Sequence, residues 1–141
     1  KKYYSGKKKR YTHKVEIAMT TEGKIVDVSK SSPGSTHDIK IRRNGSHLSP
    51  NAKKYGDLGY QGLQKECPNV LLPHKKPKGG KLTNQQRLEN KQHASLRILV
   101  EHKFAQFKKF RILSDVYRNF RKKHHLRFNI IAGMLNMKAG F

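Results

Sequence analysis

The sequence predicts an α/β fold built from short strands and one dominant helix. Three observations carry that reading. Residues 13–28 alternate apolar and polar side chains around a Thr21-Glu22-Gly23 turn, the two-residue period of antiparallel strands. Asn69-Val70-Leu71-Leu72-Pro73 is a short apolar run closed by proline and reads as a buried strand. Residues 83–109 contain no Gly or Pro and repeat apolar side chains at helical spacing. With 141 residues the chain is long enough for one domain with a core.

Taken in order, residues 1–14 (KKYYSGKKKRYTHK) predict a strand, a turn at Ser5-Gly6, and a second strand starting near Tyr11. Lys7, Lys8, Lys9 and Arg10 form a basic run there. It reads as a nuclear-localisation-like tract, as a solvated strand edge, where charge blocks aggregation, or as a contact to phosphate. In residues 13–20, Val15 and Ile17 take one side and Lys14 and Glu16 the other. Residues 24–29 return, giving an antiparallel meander of up to three strands. Asp27 sits among alternating apolar neighbours and is expected to face solvent.

Ser35 or Thr36 is expected to cap a short helix over residues 37–43, which Asn44-Gly45 ends. Asp38 falls in its first turn, where the helix dipole favours a carboxylate. It is kept as an alternative metal ligand. In residues 53–60 (KKYGDLGY), Tyr55 and the short run to Leu58 predict a brief strand, with Asp57, between Gly56 and Gly59, at its end. Small neighbours let backbone or ligand approach closely, although an Asx turn alone also accounts for Asp in such a loop. Residues 61–66 read as one or two helical turns ended by Cys67-Pro68. Residues 74–81 (HKKPKGGK) form a basic loop carrying Lys75 and Lys76. It is either a solvated connection or a clamp on a DNA backbone.

The long helix opens with a capping box, Thr83 with Gln86 three residues on. Leu88, Leu96, Leu99, Val100, Phe104 and Phe107 are expected to face the core. Arg97, Glu101 and Lys108 fall on a narrow neighbouring stripe. On periodicity alone, Arg97 and Glu101 are an i,i+4 ion pair on a solvated face. Ser114 is expected to cap an amphipathic turn over residues 115–120. Residues 121–137 form a closing helix that packs Leu126, Phe128, Ile130, Ile131, Met134 and Leu135 on the core. His124 and His125 are adjacent, so they point apart on a helix and are read as a solvated pair.

Thirty-two Lys and Arg against nine Asp and Glu give a formal charge of +23. Such an excess repels itself in a compact state, so nucleic acid is the expected partner. Each phosphate neutralised should add a slope of about −0.9 in log K against log salt. The cations are spread along the chain rather than set on one amphipathic helix, which disfavours a membrane surface. Cys67 is the single cysteine and excludes an internal disulfide, which fits a reducing compartment. The chain opens on Lys-Lys-Tyr-Tyr without a Met and reads as a fragment.

R-x3-E-x6-K beginning at Arg97 resembles the C-terminal signature of bacterial insertion-sequence transposases of the DDE type. G-D-x-G-Y around Asp57 resembles their second catalytic Asp region. YYSGKKKRYTHK, SPGSTHD, GDLGYQG and RILVEHKFAQFKKFRIL follow in family order. From Tyr4 to about Arg118 the chain resembles the catalytic domain of a DDE transposase of the IS5/Harbinger-like group. That resemblance implies an RNase H-like fold, a mixed sheet with helices on its faces. It implies phosphoryl transfer on DNA, in which carboxylates gather two Mg²⁺ (or Mn²⁺) ions roughly 3.5–4 Å apart. Hard cations of this kind take oxygen ligands.

On that resemblance Asp57 and Glu101 are the catalytic and metal-binding residues. Arg97 would orient Glu101 or touch phosphate, and Lys108 would track the DNA backbone. The implied partners are terminal inverted repeats and target DNA, without a membrane, in a homo-oligomeric transposition complex of the prokaryotic cytoplasm. Two departures stand out. The family signature carries a Tyr ahead of the Arg where this chain has Ala94. The family's first Asp sits on a strand just upstream of the YSGKKK block, which would place it before Lys1. The sheet is therefore expected to be truncated at its first strand, and the fragment inactive in strand cleavage. The alternatives are a non-catalytic basic nucleic-acid-binding module and a decayed transposase remnant.

Overall fold

The structure, a computed structural model, describes residues 3–6, 9–46, 48–115 and 123–141. Strand β1 (Tyr4–Ser5) pairs antiparallel with β2 (Arg10–Tyr11), and Tyr4 stands opposite Tyr11 with the two rings edge-on at 5.9 Å. Such cross-strand aromatic pairs stabilise short ladders. Strands β3 (His13–Lys14), β4 (Ile17–Met19), β5 (Ile25–Val28) and β6 (Ser32–Pro33) follow. β4 pairs antiparallel with β5, and β3 with β6, so one long hairpin spans residues 13–33. The expected meander is present, but as separate two-stranded ladders rather than one sheet. An irregularity between Ala18 and Met19 breaks the register.

Helix α1 (Asp38–Arg43) then lies across the polar face of that hairpin. His37 takes the N-cap position and makes no side-chain cap bond, so neither Ser35 nor Thr36 is the cap. Asp27 is also not solvent-facing as expected. Its side chain is only 18% exposed and lies 3.5 Å from the Arg42 guanidinium, because α1 covers the face that alternation assigned to water.

Strands β7 (Lys54–Tyr55) and β8 (Val70–Leu71) pair in parallel. Between them run two 3-10 turns, Leu58–Tyr60 and Leu63–Lys65. The apolar run is half-buried rather than wholly so. Val70 is buried while Leu71 is 40% exposed, as successive strand residues face opposite sides.

Helix α2 (Asn84–Lys108) starts as the capping box requires. Thr83 Oγ1 accepts from the Gln86 N–H at 3.2 Å, and Gln86 Oε1 accepts from the Thr83 N–H at 3.0 Å. The buried stripe is rotated from the expected one. Phe107 is fully buried and Leu96, Val100 and Phe104 are half-buried, but Leu88 is 53% exposed and Leu99 is exposed too. Their places on the packed side go to Gln86, Glu89, Asn90, His93 and Lys103. Of α2, only Phe107 enters the buried apolar cluster, and nearer its N-terminus the helix also packs through polar side chains.

Helix α3 (Arg111–Ser114) follows, with Ser114 as its last residue. The amphipathic turn expected over 115–120 falls mostly outside the described residues. Helix α4 (His124–Lys138) closes the fold. Phe128, Ile131, Ala132 and Leu135 join Ile25 and Phe107 in the core, with Val15, Ile17, Val28, Phe110 and Leu113 packed around them. Leu126, Ile130 and Met134, expected on the core, are exposed, since only one face of α4 meets it. Asn136 ties α4 to β5 by donating to the Ile25 carbonyl and accepting from its N–H, both at 2.9 Å. Among the described residues no helix is long and apolar enough to cross a membrane.

His124 corrects another expectation, for it is buried, within 2.8 Å of Ser31 Oγ and stacked on His13. Burial first, then the neighbouring His13, Arg127 and His125 charges, push its pKa down to about 4. The unfolded chain, with an ordinary imidazole, binds that proton at higher pH. The neutral His124 therefore contributes stability that is present above about pH 6.5 and is lost as pH falls towards 4. Between pH 7 and pH 4.5 this loss should be about 2–3 kcal/mol, and His124→Gln should flatten that part of the pH dependence in urea titrations.

Candidate functional site

The GDLGY block is held from several sides. The Gly56 N–H donates to the Leu71 carbonyl at 3.0 Å, which carries the β7–β8 ladder one residue further. Asp57 then caps the first 3-10 turn, its Oδ1 accepting from the Leu58 N–H at 2.6 Å. A Cβ on Gly56 would lie 2.9 Å from the Leu72 side chain, and one on Gly59 would lie 2.8 Å from Asp38 Oδ2. Only glycine fits such approaches without a shift. The Tyr60 hydroxyl reaches Glu16 Oε2 at 3.2 Å. The reading of Asp57 as a turn former holds, while the strand stops at Tyr55, two residues short of it. Its side chain is exposed.

Beneath the block lies an ionic cluster that sequence reasoning missed. Arg42 contacts Glu16 at 2.5 Å and Asp27 at 3.5 Å, with Glu16 and Arg42 each 12% exposed. Burial raises the Glu16 pKa, and Arg42 and the Tyr60 hydroxyl oppose that rise. Asp38, the alternative ligand, pairs with Lys14 at 3.1 Å. The available signal was Glu16 on the same strand face as Lys14, with Asp27 standing opposite Ala18 in the hairpin. Nothing in the spacing pointed to Arg42 as their shared partner.

Helix α2 carries the second carboxylate. Arg97 Nε donates to Glu101 Oε1 at 2.8 Å, and both side chains are more than half exposed. The pair is the solvated i,i+4 pair that periodicity gave. Tyr55 packs edge-on against His93 at 5.2 Å, so β7, which ends two residues before Asp57, lies against α2. Glu101 lies eight residues beyond His93, about 12 Å of rise and about 80° around the helix. Lys108 lies exposed on nearly the same bearing as Glu101.

The basic loop is anchored at its base. The His74 N–H donates to Asn90 Oδ1 at 2.8 Å, Asn90 Nδ2 donates to the His74 carbonyl at 3.1 Å, and the His74 ring meets Glu89 at 2.5 Å. The hydrogen bond from Gln85, and then that from His74, holds the Glu89 carboxyl below its usual range. Lys75 and Lys76 stand exposed beyond this anchor. Lys9 and Arg10 are exposed on the β1–β2 hairpin, while Lys7 and Lys8 lie outside the described residues.

Asp57 and Glu101 offer hard oxygen donors of the type that Mg²⁺ or Mn²⁺ takes. Each has one oxygen engaged within the protein, and both side chains are exposed. Among the described residues no three His, Cys, Asp or Glu side chains form a group that could hold a metal ion. The donor chemistry fits part of a metal site.

Two comparisons bear on this arrangement. Residues 1–136 match the family described as DDE superfamily endonuclease. Over 137 residues the chain is 36% identical to the probable transposase for insertion sequence element IS702 of Microchaete diplosiphon, which covers 96% of this chain and 50% of that protein. The chain thus spans about half the length of the curated relative it matches. No solved structure matches it.

Proposed function

The chain belongs to the DDE superfamily endonucleases, and on that premise we propose that it is part of the RNase H-like catalytic domain of a DNA transposase. Asp57 and Glu101 are the two carboxylates it contributes to a metal-dependent phosphoryl transfer. When bound, Mg²⁺ or Mn²⁺ would activate the attacking oxygen and stabilise the leaving one. The protein's own part is positional. Asp57 presents its carboxylate from a capped turn at a strand end, and Arg97 fixes the Glu101 rotamer through one charge-assisted hydrogen bond.

The observation that supports this most is the order of groups along α2. The anchored Lys75–Lys76 loop lies by Glu89 and Asn90, the Asp57 strand by His93, then come Arg97 and Glu101, and finally Lys108. From residue 89 to 108 the helix rises about 28 Å, close to one turn of duplex DNA at about 34 Å. Cations at both ends and carboxylates between them suit a duplex laid along this side, with a phosphodiester over the centre. Lys7, Lys8, Lys9 and Arg10 would extend that contact. The substrates are terminal inverted repeats and target DNA, acted on in a homo-oligomeric complex in the cytoplasm of a prokaryote.

Labelled terminal-repeat DNA with Mg²⁺ or Mn²⁺ tests the reading. The 141-residue chain should bind the DNA without cutting it, since among its described residues no three His, Cys, Asp or Glu side chains gather to hold a metal ion. A longer chain that joins these residues to a segment carrying a further family carboxylate should cut. Glu101→Gln in that longer chain should lower cutting by at least about 100-fold, the upper range for merely supporting residues at metal sites, and should leave DNA binding unchanged. Robust cutting by the 141 residues alone would overturn the assignment of a partial site. Unaltered cutting by Glu101→Gln would favour a non-catalytic role for that residue.

A further inference from the structure

We propose that Tyr60 is a positioning residue for Asp57, locked by Glu16 and Arg42, and that this buried link sets the reach of the Asp57 carboxylate towards a divalent cation. The proposal rests on the reading of Asp57 as a metal ligand.

Asp57 and Tyr60 mark the two ends of one 3-10 turn. The Tyr60 N–H donates to the Asp57 carbonyl at 3.0 Å, and the Leu58 N–H donates to the Asp57 carboxylate at 2.6 Å. A single turn of this kind has poor hydrogen-bond geometry and little stiffness of its own. An exposed carboxylate on such a turn would sample many positions, whereas a useful ligand must be held within about 0.5 Å. The turn is therefore fixed from outside. Its leading side is held by Gly56 bonded to Leu71 in β8. Its trailing side is held by the Tyr60 hydroxyl bonded to Glu16 on the long hairpin, and Glu16 is held by Arg42 on α1. Gly59, between them, sits against Asp38 at the start of α1.

The chemistry of the link suits a fixed support. Burial, and next the Glu16 and Asp38 carboxylates, raise the Tyr60 pKa far above the ordinary phenol range, so the hydroxyl keeps its proton and remains a donor. Glu16 is the acceptor that this donor needs, and Arg42 compensates the buried charge. None of these three side chains stands exposed beside Asp57. Their influence on it runs through the backbone of residues 57–60.

The test uses Mn²⁺ as a paramagnetic probe and the amide resonances of Leu58 and Gly59 as reporters. In the native chain, Mn²⁺ should broaden both selectively. Asp57→Asn should abolish that broadening. Tyr60→Phe should weaken the apparent Mn²⁺ affinity at these amides by about 10- to 100-fold, the range for supporting residues at metal sites. Glu16→Gln keeps an acceptor and should preserve the affinity, while Glu16→Leu removes it and should reproduce the Tyr60→Phe loss.

If the native chain shows no selective broadening, or Asp57→Asn retains it, the reading of Asp57 as a ligand fails whatever Tyr60 does. If Asp57→Asn abolishes it while Tyr60→Phe matches the native affinity, the positioning role fails alone. A purely structural tyrosine would lower the melting temperature and leave the affinity of the folded fraction unmoved. Should Tyr60→Phe not fold, the Glu16→Gln and Glu16→Leu pair decides, and equal affinities in those two would overturn the proposal.

Discussion

Arg42→Ala is expected to lose about 3–5 kcal/mol of folding stability, the cost of breaking a buried ion pair from one side. Glu16 and Asp27 both lean on this guanidinium, and each is less than one-fifth exposed. Removing it leaves two carboxylates facing one another with little water to screen them. The variant also loses the bond from Arg42 to the Ser46 carbonyl, which steadies the end of α1. The pH dependence identifies the cause. Burial already raises the Glu16 pKa, and Arg42 is the main influence holding it down. Without Arg42 the pKa moves further up. A group whose folded pKa is raised favours the folded state at low pH and loses that contribution as pH rises. The deficit of Arg42→Ala should therefore be largest near neutral pH and shrink towards pH 4.5. Glu16→Gln added to it should recover part of the loss at neutral pH, as read from urea unfolding. A deficit that is equal at both pH values would mean that lost packing, not charge, is responsible.

Phe107→Ala is expected to cost about 3–5 kcal/mol through the cavity it leaves. Phe107 is 1% exposed, its ring lies 5.2 Å from that of Phe128, and it shares the core with Ile25, Ile131 and Leu135. It is the residue through which α2 joins both α4 and β5. A domain of this size has about 5–15 kcal/mol in total, so the variant should sit near the edge of folding. Phe107→Leu keeps most of the volume and should cost less. Leu88→Ala, at an exposed place on the same helix, should stay within about 0.5 kcal/mol. A large loss from Leu88→Ala would show that the side of α2 is assigned wrongly. Urea titration monitored by far-ultraviolet circular dichroism measures all three.

Local signals were read well from the chain. The Thr83–Gln86 box started α2 where it was expected, because a cap is a contact between residues three apart. The closing helix and the β4–β5 hairpin also followed from short-range pattern. The face that α2 buries did not follow. Hydrophobic periodicity reports which residues are apolar, not which neighbours arrive. Here His74 and Tyr55 arrive against Asn90 and His93, and they leave Leu88 and Leu99 in water.

The candidate site divides in the same way. Sequence alone supplied Asp57 as an Asx turn and Arg97–Glu101 as a surface pair, and both arrangements are present. Their catalytic reading came through family resemblance, since neither local geometry demands a metal. By itself the sequence determined the strand and helix types and the α2 cap, because each follows from contacts within a turn, and its total charge gave the expectation of a polyanion partner. Only the tertiary structure decided that Glu16, Asp27, Arg42 and Tyr60 meet under the GDLGY turn. Those residues are up to 44 positions apart, and no local period encodes which buried charges will share a partner.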